Sequence, residues 1–108
     1  MRNCFHKYED PYHGWLKVRR VELYSLGLRE AISKRSYQRD GDVYLEQDID
    51  AVKFTEAYTQ KFGRPIRRVV HRLKRSSIFR TYKSYDPAGT EVKPRKNKMA
   101  GSRAFNPF

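Results

Sequence analysis

Three groups of side chains are of types that can do chemistry. Cys4, His6 and His13 bring a thiol and two imidazoles close together in the chain. They could make a partial metal site, or a cysteine nucleophile paired with its base. No fourth ligand and no group to orient the base accompanies them. Glu46, Asp48 and Asp50 alternate ahead of a helical stretch, where carboxylates could hold a divalent cation but more commonly favour the helix dipole. Asp86 followed by Glu91-Val92-Lys93 has the acid, acid and lysine of a metal-dependent nuclease, at too short a spacing. His71, set among arginines, reads as a phosphate contact rather than a base. The expectation from these groups is no enzyme, no metal and no cofactor.

Charge is the stronger signal. The chain has 108 residues, with 24 Lys+Arg against 12 Asp+Glu. Residues 1–62 hold 11 basic and 10 acidic side chains, a net of +1, and residues 63–108 hold 13 and 2, a net of +11. An excess confined to one segment is the footprint of a polyanion binder. Eight cations and no acid fall between residues 64 and 83: Arg64, Arg67, Arg68, Arg72, Lys74, Arg75, Arg80 and Lys83. Arginine predominates, and its planar fork suits bidentate phosphate contact. Lys93, Arg95, Lys96 and Lys98 extend the run into a tail rich in Pro, Gly and Lys.

The elements that must position these groups follow from periodicity and turn chemistry. Residues 14–19 (GWLKVR) alternate, with Leu16 and Val18 opposite Trp15, Lys17 and Arg19, as a half-buried strand does. Residues 20–26 have helical character, closed by Gly27. Asp40-Gly41 between two strand-like runs predicts a hairpin with a type I′ turn. That register sets Tyr37 opposite Tyr44 and pairs Arg39 with Asp42 and Arg35 with Glu46, and it sends Val43 and Leu45 to the core face. Ala51, Phe54, Tyr58 and Phe62 stripe a helix over residues 50–62 that Gly63 ends. Residues 64–75 fit a strand or a helix begun by Pro65, and their β-branched pair favours strand. Residues 78–85 look extended.

Strand, helix, strand, strand, helix, strand is the order of an α+β split βαβ, ferredoxin-like sandwich. The reading is one domain over residues 1–85 and a basic tail over residues 86–108. With helices on one face, Trp15, Tyr37 and Tyr44 fall on the other beside Arg35 and Arg39. Rings ringed by cations are a platform on which bases of a single strand can stack. The competing reading packs Trp15 under the C-terminal segment.

The segments HGWLKV, SYQRDGDVYLEQDID and SSIFRTYKSY resemble those of small hypothetical proteins of bacteriophages and mobile elements, over about residues 8–85. The chain departs from their pattern at Tyr12, Leu28 and Gln47. The resemblance implies a phage or mobile-element origin and no particular chemistry. Cys4 is the single cysteine, so no internal disulfide forms. Nor is there an apolar run of membrane-spanning length. The expected protein is a cytoplasmic nucleic-acid binder without membrane contact; the alternative partner is an acidic host protein or a ribonucleoprotein particle.

Overall fold

A computed structural model describes residues 1–75 and 78–88. Six strands and two helices succeed one another as β1 (Cys4–Glu9), β2 (Gly14–Arg19), α1 (Arg20–Ser25), β3 (Tyr37–Arg39), β4 (Asp42–Glu46), α2 (Asp50–Phe62), β5 (Arg67–Arg72) and β6 (Lys83–Ser84). A 3-10 turn, Ile78–Thr81, precedes β6. The strands form one mixed sheet in the order β5-β1-β2-β4-β3-β6, antiparallel except where β5 runs parallel to β1. The fold is α+β, as expected, but the ferredoxin-like topology is not. That arrangement needs the strand after α2 to pair with β2, and here the N-terminal strand β1 stands between them. No described helix is long and apolar enough to cross a membrane.

Alternation along the strands sorts side chains into two layers. Phe5, Leu16, Val18, Val43 and Leu45 meet Leu23, Ala51, Phe54 and Tyr58 of the helices in the larger core. Phe5 is its hub, edge-on to Phe54 at 5.2 Å and to Tyr58 at 6.1 Å. Trp15, Tyr44 and Phe79 form a second buried cluster on the other face, flanked by Tyr8, Tyr37 and Tyr82.

Local chemistry explains where the elements stop. Asp10 closes the β1–β2 hairpin by accepting the N–H groups of Tyr12 and His13 at 2.8 and 2.7 Å. The β3–β4 register is the expected one, with Tyr37 opposite Tyr44 and Arg39 opposite Asp42. The turn is not type I′, however, because only Asp40 has a positive φ (55°). The Gly41 carbonyl instead accepts the Arg20 N–H at 2.9 Å, which ties the turn to the start of α1. Helix α2 spans the expected residues and ends at Gly63, whose φ of 73° a side chain would resist.

Two of the three acids ahead of α2, Glu46 and Asp50, are tied into the fold by hydrogen bonds. Glu46 accepts the N–H groups of Asp48 and Ile49 at 2.9 and 3.0 Å. Asp50 is wholly buried and accepts from the Ser33 N–H, the Ser33 hydroxyl (2.7 Å) and the Ser36 hydroxyl (2.6 Å). Ser36 in turn accepts the Glu46 N–H at 2.9 Å, so this network locks the α1–β3 loop to α2. Asp50→Ala is expected to leave three donors without an acceptor and to lower stability by roughly 3 kcal/mol. Urea unfolding followed by circular dichroism checks this, with Val52→Ala on the exposed side of the helix as the near-neutral reference.

Candidate nucleic-acid interface

The expected site residues separate into an aromatic set and a cationic set. The first lies on the sheet face opposite the helices, where Trp15, Tyr37 and Tyr44 do come together. They do not form an open platform. Phe79, from the 3-10 turn, stacks on Tyr44 with ring centroids 4.3 Å apart and planes 25° apart. It also meets Trp15 at 5.8 Å and Tyr8 at 5.1 Å, both edge-on. Tyr82 also packs beside Tyr44, at 5.3 Å, and beside Phe79, at 5.6 Å. Trp15 keeps 3% of its surface exposed and Tyr44 keeps 7%. The position a stacked base would take over Tyr44 is filled by the chain's own ring, so the expectation of stacking is corrected for Trp15 and Tyr44. Tyr37 is half-buried at the margin, 6.3 Å from Trp15.

The path of the C-terminal segment explains this cover. Phe79 packs on one face and Tyr85 on the other, so the segment wraps the β3 edge of the sheet, adding β6 as it passes. It is not extended throughout, as expected from the sequence, because the 3-10 turn is what directs Phe79 inward. Tyr85 is held by its own N–H to the Ser36 carbonyl (2.8 Å) and by its hydroxyl to the Arg29 carbonyl (2.6 Å).

The cross-strand charge pairs also differ from expectation. Arg35 precedes β3 and Glu46 is occupied by backbone N–H groups. Arg39 donates to the Tyr82 hydroxyl at 3.2 Å and lies 5.0 Å over that ring, while Lys17 takes Asp42 at 3.8 Å.

The cationic set divides by strand order. Arg67, Arg68 and Arg72 lie on β5, an edge strand, with Arg64 before it and Lys74 and Arg75 after, all exposed. Among the described residues Glu9 alone supplies a carboxylate there, to Arg72 at 3.4 Å. Glu9 is shared with Lys7 at 3.0 Å, and that lysine, with Arg72, holds its carboxyl below the ordinary range. Lys83 is on β6 at the opposite edge, five strand spacings or about 24 Å away, and so belongs to another surface. The side chain of Arg80 and the whole of Lys93, Arg95, Lys96 and Lys98 lie outside the described residues.

A histidine pair escaped the sequence reading. Parallel pairing of β1 with β5 brings His6 Nδ1 to 2.8 Å from His71 Nε2, with the rings stacked and Tyr8 stacked on His71 at 4.8 Å. Only β1, a strand that periodicity did not mark, would have revealed it. Among the described residues, no group of three or more His, Cys, Asp or Glu side chains gathers so that it could hold a metal ion. Comparison with known protein families, with curated proteins and with solved structures finds no match to this chain.

Two outcomes follow from the buried ring layer. Trp15 is the sole tryptophan, so its emission should be that of a buried indole. Phe79→Ala should shift it to the red and cost about 3 kcal/mol of stability. Burial, foremost, pushes the Tyr44 phenol up to about 12. The unfolded chain ionises near 10, so this contribution is fully present below pH 10 and is lost as pH rises toward 12. Urea midpoints measured between pH 9 and pH 11.5 should therefore fall, and Tyr44→Phe should flatten part of that slope.

Proposed function

We propose that this chain is a small nucleic-acid-binding accessory protein that neutralises backbone phosphates along the edge of its sheet. The observation that carries the reading is the collection of Arg64, Arg67, Arg68, Arg72, Lys74 and Arg75 on and beside one exposed edge strand, with Glu9 as the single acidic counterpart among the described residues. Arginines on both faces of a strand can grip phosphates from two sides, and contacts of this kind carry affinity without reading sequence. Because Phe79 covers Trp15 and Tyr44, the reading rests on phosphates rather than stacked bases. Duplex and single-stranded forms are then bound in proportion to their charge density. Later in the sequence, Lys93, Arg95, Lys96 and Lys98 carry the same sign of charge. A phage or mobile-element origin is part of this proposal and rests on the sequence resemblance.

Titration into labelled duplex and single-stranded DNA and RNA at several salt concentrations tests it. If all six edge cations engage phosphates, the log–log slope on duplex approaches about −5, from roughly −0.9 per phosphate. Arg67→Glu, Arg68→Glu, Arg72→Glu and Arg75→Glu together should weaken binding by roughly two orders of magnitude in a folded variant. Tyr37→Ala should leave single-strand affinity unchanged. Absence of binding at low salt, or full affinity in the charge-reversed protein, overturns the proposal.

A further inference from the structure

Two features of β5 go beyond its row of charged side chains: its main chain and its valines. Arg67 N–H donates to the Asn3 carbonyl and Leu73 N–H to the Glu9 carbonyl, each at 2.7 Å. In a parallel ladder the residues bonded to one neighbour alternate, so 67, 69, 71 and 73 turn toward β1. Arg68, Val70 and Arg72 therefore present N–H and C=O outward, and among the described residues no strand lies beyond them. Val69 and Val70 are 41% and 45% exposed, one on each face of the strand. An edge of six residues with open donors, open acceptors and β-branched side chains is a template for an added strand.

The charges say which strand. Two copies of β5 pairing antiparallel through Val70 would set Arg68 against Arg72 in both directions, and like charges directly opposed destabilise a pair. An acidic strand meets the reverse situation. We infer that β5 receives an extended acidic segment of a partner protein by strand addition, with a β-branched pair opposite Val69 and Val70 and carboxylates opposite Arg67, Arg68 and Arg72. The two valines set the register, and the arginines select acidic over neutral strands. This goes beyond the nucleic-acid reading while sharing its arginines, so peptide and nucleic acid compete for the edge.

The test uses the full chain and a capped peptide, Glu-Asp-Glu-Val-Ile-Glu-Asp-Glu, read by fluorescence anisotropy. Binding should fall at least tenfold when the peptide is N-methylated at the alternate residues that bond β5, and also when its order is shuffled. Val70→Pro removes one outward donor at a position where an edge strand tolerates proline. It should weaken the peptide at least tenfold and change duplex DNA affinity by less than twofold. If that variant fails to fold, the N-methylated peptide on the unaltered protein decides. Equal binding of the shuffled or N-methylated peptide overturns the inference in favour of a plain polyanion site. Concentration-dependent self-association of the free protein, lost in Val70→Pro, overturns it in favour of a second copy. Peptide binding without DNA binding upholds this inference and overturns the nucleic-acid proposal; DNA binding without peptide binding does the reverse.

Discussion

The parallel pairing of β1 with β5 is the constraint from which the rest of the structure follows. By inserting between β2 and the strand that follows α2, β1 pushes β5 to the margin of the sheet. There a strand carrying three arginines can exist at all. In the sheet's middle, flanked and covered, the same guanidinium groups would lose their water without gaining carboxylates, at a cost of several kcal/mol each. The same pairing supplies the inner partner, Phe5, that closes the helix-side core, and it brings His6 to His71. Position in the sheet thus turns a basic run into an exposed, rigidly spaced row of cations.

A second tie fixes the opposite edge. Arg20 is 1% exposed, and among the described residues no carboxylate reaches it. It donates to the Gln38 side chain, to the Asp86 carbonyl at 2.8 Å and to the Tyr24 hydroxyl at 3.2 Å, with the Tyr85 ring 5.2 Å from its guanidinium. Buried and served by neutral acceptors, this cation joins α1, β3 and the segment after β6 into one unit. Asp86 reinforces it by donating its N–H to Gln38 at 2.7 Å. With residues 83–86 so anchored, the preceding 3-10 turn has little freedom, and Phe79 and Tyr82 are delivered onto Trp15 and Tyr44. The ring layer is a consequence of that anchoring, which is why it behaves as core.

What could be read from the sequence was whatever depends on neighbours along the chain. The stripe of Ala51, Phe54, Tyr58 and Phe62 marked α2, the alternation of Leu16 and Val18 marked β2, and Asp40-Gly41 marked the hairpin register. β1 was illegible because its inward positions are Phe5, Lys7 and Glu9, with one apolar residue among them, so no period-two signal exists. The type of turn at Asp40 was illegible because the Arg20 N–H, twenty residues earlier, holds Gly41. The aromatic residues were correctly assigned to one face, but nothing local in Ile78–Thr81 says that Phe79 returns to cover them. Of the cationic run, Arg64 to Arg75 fall together along one edge, whereas strand order carries Lys83 to the far edge.

The edge strand also shows how attraction and exclusion are built from the same residues. An exposed strand with open N–H groups and two bare valines invites pairing with any chain, its own copies included. Arg67, Arg68 and Arg72 make that indiscriminate pairing unfavourable, because a like or neutral strand either brings cation against cation or buries charge without compensation. They do so without closing the edge, as a proline or a covering loop would. A ligand that brings negative charge along the length of β5 would relieve the repulsion, and both a phosphate backbone and an acidic strand have that charge. They would differ in what else they satisfy: phosphates offer no donor to the outward carbonyls, whereas a strand would pair both the N–H and the C=O of Arg68, Val70 and Arg72. On the inference drawn above, the arginines would select for negative charge, and main-chain pairing would hold an added strand in place.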